Sequence, residues 1–205
     1  INPFTFSGHV PYLVTPVAGP HIDSFNNMME QQSLATANAV DAWLAKLDSF
    51  PAGLAGVSEK MKADKAAGCN PPRVLLEKSL AVFDSFLAGK AADHPLIQAL
   101  SQRTTEAHLS RRIRTAAIKR AILLLETRVR PAMAALRSDV AALAHDGRAE
   151  AGLWAQPQGA ELYAANVRAL GDTALSPDEI HRIGIDEVSR IAGDMNAMLA
   201  KRGLP

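Results

Sequence analysis

Apolar residues recur every three or four positions along most of this chain, which is the spacing of helices that bury one face. The first clear stripe starts near residue 27 and comprises Leu34, Ala37, Val40, Leu44 and Leu47. We expect this helix to end before Pro51, because an interior proline lacks an amide donor and clashes with the preceding turn. Similar stripes predict separate helices over about 57–67 and 70–87.

The first 27 residues have a different pattern, because prolines and glycines interrupt them throughout. These interruptions are Pro3, Gly8, Pro11, Pro16, Gly19 and Pro20. A continuous helix is not expected there. We predict an extended arm over 1–27 that packs as a coil, followed by one helical domain over 28–205.

After Pro95, the stretch 95–130 contains no further proline and no glycine, and its apolar stripe slips near His108. One long helix and two shorter helices both fit this pattern. Pro131 is expected to break or kink the run, and a further helix should close near Gly147. With these helices, the chain is predicted to be all-α, an irregular multi-helix bundle with an extended proline-rich arm.

The last helix has the clearest start signal in the sequence. Ser176 is at the N-cap position, Pro177 at the first helical position and Glu179 at the third, which is a capping box. The apolar residues that follow are expected to be buried, and they are Ile180, Ile183, Val188, Ile191, Met195 and Met198 or Leu199.

Composition and charge narrow the classes of function. A hydrophobic content of 48% supports a buried core, and 22 basic against 21 acidic residues leave a net charge of +1. Neither a nucleic acid nor an anionic membrane is therefore an expected partner of the whole molecule. Apolar runs such as 121–125 are far shorter than the roughly 20 residues that span a bilayer, so no membrane span is predicted.

Positive charge is concentrated in one segment. It contains Arg103, Arg111, Arg112, Arg114, Lys119, Arg120, Arg128 and Arg130 against Glu106 and Glu126. One interpretation is a solvated helix face whose charges pair with acids elsewhere in the fold. The alternative is a docking surface for an acidic partner, in a self-contained helical interaction module.

Residues with metal or nucleophile chemistry are sparse. None of the six histidines has the spacing of a helical zinc motif, and there is no nucleophile elbow or phosphate-binding loop. Asp178 and His181 share a helix face and form half of a di-metal pairing. The single cysteine, Cys69, precedes a predicted helix whose amides could lower a thiol pKa. A structural role for these three residues is the simpler interpretation.

A loop with two aromatic residues is the best candidate binding segment. It reads Gly152-Leu-Trp154-Ala-Gln-Pro157-Gln-Gly159-Ala-Glu-Leu-Tyr163. Loops that combine aromatic residues, proline and glycines on a helical scaffold are often binding surfaces. Trp154 could instead cap a helix-bundle core.

This segment and the capping box together resemble a known family. The signature Gly152-Leu-Trp154, Pro157-x-Gly159, Tyr163, Leu175-Ser-Pro-Asp-Glu-Ile-His181-x-x-Gly184 and Glu187-Val-x-Arg190-Ile191 is similar to the bacterial domain of unknown function 885 family. That resemblance implies a largely helical, zinc-dependent peptidase whose members are often exported or lipid-anchored. The family's His-Glu-x-x-Pro-Gly-His zinc motif does not occur in this sequence.

The resemblance therefore implies no metal ligand and no catalytic residue in this chain, and zinc only for a full-length family member. We expect the chain to be the N-terminal helical portion of such a peptidase, inactive alone, that helps to wall the substrate cleft. Ile1 in place of methionine and Gly203-Leu-Pro205 after a helix agree with this expectation.

Substrate-cleft candidates are the signature residues that capping and core packing do not explain, namely Trp154, Tyr163 and His181. The expected partners are the remainder of the same polypeptide or a peptide substrate, with a second copy of the chain as an alternative. An exported and a cytoplasmic location both fit the sequence.

Overall fold

The computed structural model describes residues 12–203 and consists of α-helices joined by short turns. The helices are α1 Pro20–Glu30, α2 Ala37–Ala66, α3 Arg73–Leu87, α4 Pro95–Glu106, α5 Arg111–Leu124, α6 Arg130–His145, α7 Gly159–Gly171 and α8 Pro177–Lys201. The predicted all-α, multi-helix fold is confirmed. The described residues form two compact units, 12–151 and 152–203, here called the first and the second unit.

The first unit holds a continuous apolar core in which α3 packs on α6, and α2 packs on α5 and α6. Its largest fully buried side chains include Trp43, Leu47, Phe83, Met133 and Leu136. Burial of each such side chain contributes roughly 1.5–3 kcal/mol. Trp43 Nε1 also donates a hydrogen bond of 3.1 Å to the Met28 carbonyl, which ties α2 to α1.

The predicted arm is shorter than the sequence suggested, because α1 begins at Pro20. Proline is well suited to the first helical position, where its missing amide is not needed. The Asp23 carboxylate accepts a 2.9 Å hydrogen bond from the Gly19 amide, and Phe25 and Met28 are buried. Part of the predicted arm, residues 1–11, lies outside the described residues.

The predicted helix end at Pro51 is wrong, since α2 continues through the proline and is 30 residues long in total. Leu47, Phe50, Leu54, Val57 and Met61 are all buried on one face, before and after the proline. An interior proline costs about 3 kcal/mol. Burial of this stripe at roughly 1.5–3 kcal/mol per side chain outweighs that cost.

The 95–130 stretch forms two helices, with the break at the predicted slip. His108 adopts a left-handed conformation with φ of 54°, and the Ser110 hydroxyl caps α5 by accepting from the Ile113 amide at 3.4 Å. The run is not broken at Pro131. A wide π-helical turn over Leu125–Val129 joins α5 to α6, and the proline lies in the first turn of α6.

The second unit contains α7 and α8, and the capping box of α8 is confirmed. The Ser176 amide donates to Glu179 Oε2 at 2.7 Å, and the Glu179 amide donates back to Ser176 Oγ at 3.3 Å. The predicted burial of the α8 apolar face is wrong. Ile180, Ile183, Val188, Ile191, Met195 and Met198 are all exposed, from 37% for Ile180 to 68% for Val188. We call these six residues the α8 stripe.

Helical periodicity requires only that apolar residues share a face. Whether that face is covered depends on neighbouring elements, and in the described chain nothing covers the α8 stripe.

Candidate functional site

Two of the three predicted cleft residues meet in one pocket of the second unit. Trp154 and Tyr163 line an open pocket of about 440 Å³ together with Gly159, Pro177 and Asp178. Both rings are largely solvent-exposed, Trp154 at 72% and Tyr163 at 53%. Trp154 therefore does not cap a core, and its ring is available to a ligand.

A tight turn holds the tryptophan in place. Leu153–Ala155 form a single 3-10 turn, the Gly159 amide donates to the Gln156 carbonyl at 2.9 Å, and Gln158 is left-handed with φ of 54°. A Cβ on Gly159 would lie 1.8 Å from the Leu153 carbonyl oxygen. Only glycine allows the start of α7 to approach this turn so closely.

The start of α7 and the start of α8 supply the rest of the pocket. Leu162 is buried, so the next residue, Tyr163, faces outward. At α8, hydrogen bonds from the Ser176 hydroxyl and amide lower the pKa of Glu179, whose carboxylate is occupied by the cap. The neighbouring Asp178 carboxylate is exposed and lines the pocket.

This arrangement combines π faces with a negative charge. Exposed indole and phenol rings bind apolar side chains or cations through their faces, and a carboxylate complements a positive group. The pocket is therefore suited to an apolar or positively charged group.

His181 is not part of this pocket. It lies on α8, three residues after Asp178, and is exposed. The structure thus brings together Trp154 and Tyr163 but leaves the third cleft candidate apart from them. The sequence suggests only a metal pairing or a structural role for Asp178. The packing of α7 against the start of α8 places this carboxylate beside the two aromatic rings.

The described part of the chain provides no set of metal ligands. Among residues 12–203, no three His, Cys, Asp or Glu side chains are grouped so that they could hold an ion. The described residues therefore do not fit the zinc that the resemblance implies for a full-length family member. Burial raises the pKa of Cys69, and Asp64 adds to this effect. A raised thiol pKa does not favour a reactive cysteine and agrees with the structural interpretation of Cys69.

Several arginines of the basic segment make hydrogen bonds and ion pairs within the fold. Arg103 donates to the carbonyls of Met28, Met29 and Gln32 at 3.3, 2.8 and 2.7 Å. Arg128 pairs with Asp48 at 2.9 Å, and Arg130 reaches Glu126 and the Ala88 and Gly89 carbonyls. Docking of an acidic partner by the remaining cations stays a prediction.

No helix in the described range 12–203 has the length and apolar character needed to cross a bilayer. This agrees with the prediction of no membrane span.

The fold of this chain is shared by a protein of known structure. The chain is similar to a protein of known crystal structure described as "the putative lipoprotein from Colwellia psychrerythraea", with 32% identity and a TM-score of 0.90. The match covers 97% of this chain and 34% of the other, so the chain spans about a third of that protein's length. No curated protein matches the chain.

The family model described as "Bacterial protein of unknown function (DUF885)" matches residues 7–204, which is nearly the whole chain. With the structural match, this shows the family that the sequence signature suggested: the chain belongs to the bacterial DUF885 family.

Proposed function

We propose that this chain is the helical portion of a zinc-dependent peptidase and that it binds peptide beside a metal centre held elsewhere in a longer polypeptide. In this proposal the pocket of Trp154, Tyr163 and Asp178 forms part of the substrate cleft. The chain supplies no metal ligand and is inactive alone.

The observation that carries the proposal is the exposed α8 stripe in a chain that matches a third of its relative. Six large apolar side chains on one helix face are exposed in the described residues. Contiguous exposed apolar surface of this kind marks an interaction surface. A relative in which 34% of the length is covered by this match has ample further chain to bury it.

The occupant of the α8 stripe is proposed to be further polypeptide of the same protein. On the flank of the stripe, Arg190 pairs with Glu187 at 2.7 Å and with Asp194 at 2.9 Å. One positive charge set against two negative charges leaves only a single net negative charge on this flank, so the surface beside the stripe offers no strong charge to an ionic partner. Its complement is another apolar helix face.

The first test reads the gene downstream of the codon for Pro205. A continuing reading frame that encodes a His-Glu-x-x-x-His stretch is expected. A stop codon directly after Pro205 would contradict the proposal.

The second test measures peptide hydrolysis and bound zinc in the longest natural form and in the 205-residue chain. The long form is expected to hold zinc and cleave peptides, and the short chain to do neither. In the long form, Trp154→Ala and Tyr163→Ala should each raise KM about tenfold, which corresponds to ~1.4 kcal/mol of lost binding.

Leu123→Ala is the matched control, because Leu123 is a comparably exposed apolar residue of the first unit, at 52%. Its KM should equal that of the unmodified protein. Stoichiometric zinc and hydrolysis in the 205-residue chain alone would overturn the assignment of the metal to another part of the polypeptide.

A further inference from the structure

A pocket in the first unit is formed by residues other than those of the proposed peptide cleft. It lies between α1, α3 and the start of α4 and has a volume of about 220 Å³. Of the described residues that line it, none carries a formal charge apart from the titratable histidines His21 and His94. Asn26 and Ser85 are exposed at its mouth, so the pocket is reachable from solvent.

Aromatic rings form much of its wall. Phe25 and Phe86 have ring centroids 4.7 Å apart, and Phe86 meets the ring of His94 edge-on at 4.5 Å. Tilted and edge-to-face ring pairs of this kind are favourable and leave a shaped apolar surface for a further ring. The wall therefore favours a planar apolar guest.

The two histidines of the pocket differ in how their nitrogens are satisfied. His94 Nδ1 accepts a hydrogen bond from the Leu96 amide at 3.3 Å and so caps α4. That role explains His94 fully as a structural residue. His21 stacks on Phe83 at 4.9 Å and is only 2% exposed, yet among residues 12–203 neither of its ring nitrogens has a hydrogen-bond partner of good geometry.

His21 is a neutral imidazole, because burial lowers its pKa to about 4 while the Thr15 carbonyl and Asp23 oppose this effect only in part. A neutral ring has one N–H donor and one bare acceptor nitrogen. The Thr15 carbonyl can interact only with the donor. The acceptor nitrogen has no donor partner, which is an unfavourable state for a buried polar atom.

We propose that this pocket binds a small uncharged aromatic molecule that carries one hydroxyl group, a phenol in chemical class, and that the hydroxyl donates to His21. The volume fits one substituted ring, since a cavity of about 150 Å³ already admits benzene. The absence of a permanent charge in the wall excludes a charged ligand, whose lost hydration nothing would replace.

The test uses phenol and toluene as probes on the 205-residue chain. The two molecules have the same ring and differ by a hydroxyl in place of a methyl group. Dissociation constants are measured from the shifts of pocket methyl signals in NMR titrations at pH 7. Phenol should bind roughly 3- to 10-fold more tightly than toluene, as a single net hydrogen bond provides.

Three variants assign the binding to the pocket and to His21. His21→Phe keeps an aromatic ring but removes the acceptor, so phenol should bind no better than toluene. Ser85→Ala, which removes a hydroxyl at the mouth, should leave the preference unchanged. Val82→Phe places a ring inside the pocket and should abolish binding of both probes.

Equal binding of the two probes to the unmodified chain, or no binding of either, would overturn the proposal. So would loss of the phenol preference in Ser85→Ala but not in His21→Phe. If His21→Phe does not fold, the ring nitrogen signals of His21 in the unmodified chain decide: phenol, and not toluene, must shift the acceptor nitrogen. This outcome is independent of the peptidase proposal.

Discussion

At the scale of single residues, two glycines on helices have opposite surroundings. Gly159 packs so closely on the Leu153 backbone that a Cβ would lie 1.8 Å from its carbonyl oxygen, whereas a Cβ on Gly56 in α2 would meet nothing within 4 Å. Close packing therefore explains the glycine at position 159, whereas the packing of the described residues does not require a glycine at position 56.

We predict that Gly159→Ala disrupts the turn that carries Trp154, at a cost of about 1–3 kcal/mol. Hydrogen exchange of the amides over 153–163 should become faster, and the exposed Trp154 should change its fluorescence. Gly56→Ala is the control and should stabilise α2 by about 0.5–1 kcal/mol, because alanine is the better helix former. Unchanged exchange in Gly159→Ala would contradict the close approach.

A second prediction at this scale concerns His21 and pH. Its pKa in the folded chain is about 4, below the ordinary 6.5, because of burial. The unfolded chain therefore binds a proton first as the pH falls below 6.5, and folding stability decreases from there down to about pH 4. The loss attributable to His21 should reach about 2–3 kcal/mol.

The measurement is the free energy of unfolding in urea at pH 7 and pH 5 for the unmodified chain and His21→Phe. The variant should lose less stability between the two values, although burial and Arg130 also lower the pKa of His94 and leave part of the dependence. The exposed His181 provides the control, and His181→Phe should keep the full pH dependence. An identical slope in His21→Phe would refute the prediction.

At the scale of elements, Arg103 shows how one helix ends against another. It extends from α4 and donates to the carbonyls of Met28 and Met29 in the last turn of α1 and of Gln32 just beyond the helix. Carbonyls in the last turn of a helix have no partner within that helix, and a positive charge there also offsets the helix dipole. Arg103, which the sequence places in the basic segment, therefore caps the C-terminal end of α1.

We predict that Arg103→Met destabilises the first unit by about 1–3 kcal/mol, because partly buried carbonyls lose charged donors. Arg112→Met is the matched control, since Arg112 belongs to the same basic segment but is exposed on α5. Its effect should stay within about 0.5 kcal/mol. Thermal unfolding measures both variants, and equal effects would contradict the capping role.

Much of the element pattern could be predicted from the sequence. The capping box set the start of α8, and the slip in the stripe at His108 located the break between α4 and α5. The predictions at Pro51 and Pro20 are wrong. They assume that proline interrupts a helix, and this assumption takes no account of the residues packed around each proline. At Pro51 burial outweighs the lost hydrogen bond, and at Pro20 the proline starts a helix.

At the scale of the whole molecule, the α8 stripe is the feature that distinguishes the two units. The first unit buries most of its large apolar residues, whereas the second exposes a complete helix face. We predict that Val188→Glu with Met195→Glu leaves the midpoint of thermal unfolding of the 205-residue chain unchanged and lowers its binding of an apolar fluorescent dye.

Leu136→Ala is the contrasting variant, because Leu136 is 1% exposed in the core of the first unit. It should cost about 2–5 kcal/mol. In the longest natural form, the double glutamate variant should also lower stability, since the proposed cover buries the stripe there. No effect in that form would contradict the proposed occupant.

The sequence by itself determined the all-α class, most helix starts and the family, because helical spacing and capping are local and the signature is written in residue order. It also identified Trp154 and Tyr163 as binding candidates. Tertiary structure alone decided that these rings share a pocket with Asp178, that His181 stays apart, and that His21 is buried with an unpaired nitrogen. Burial and partner atoms come from residues distant in the chain, and periodicity carries no information about what covers a face.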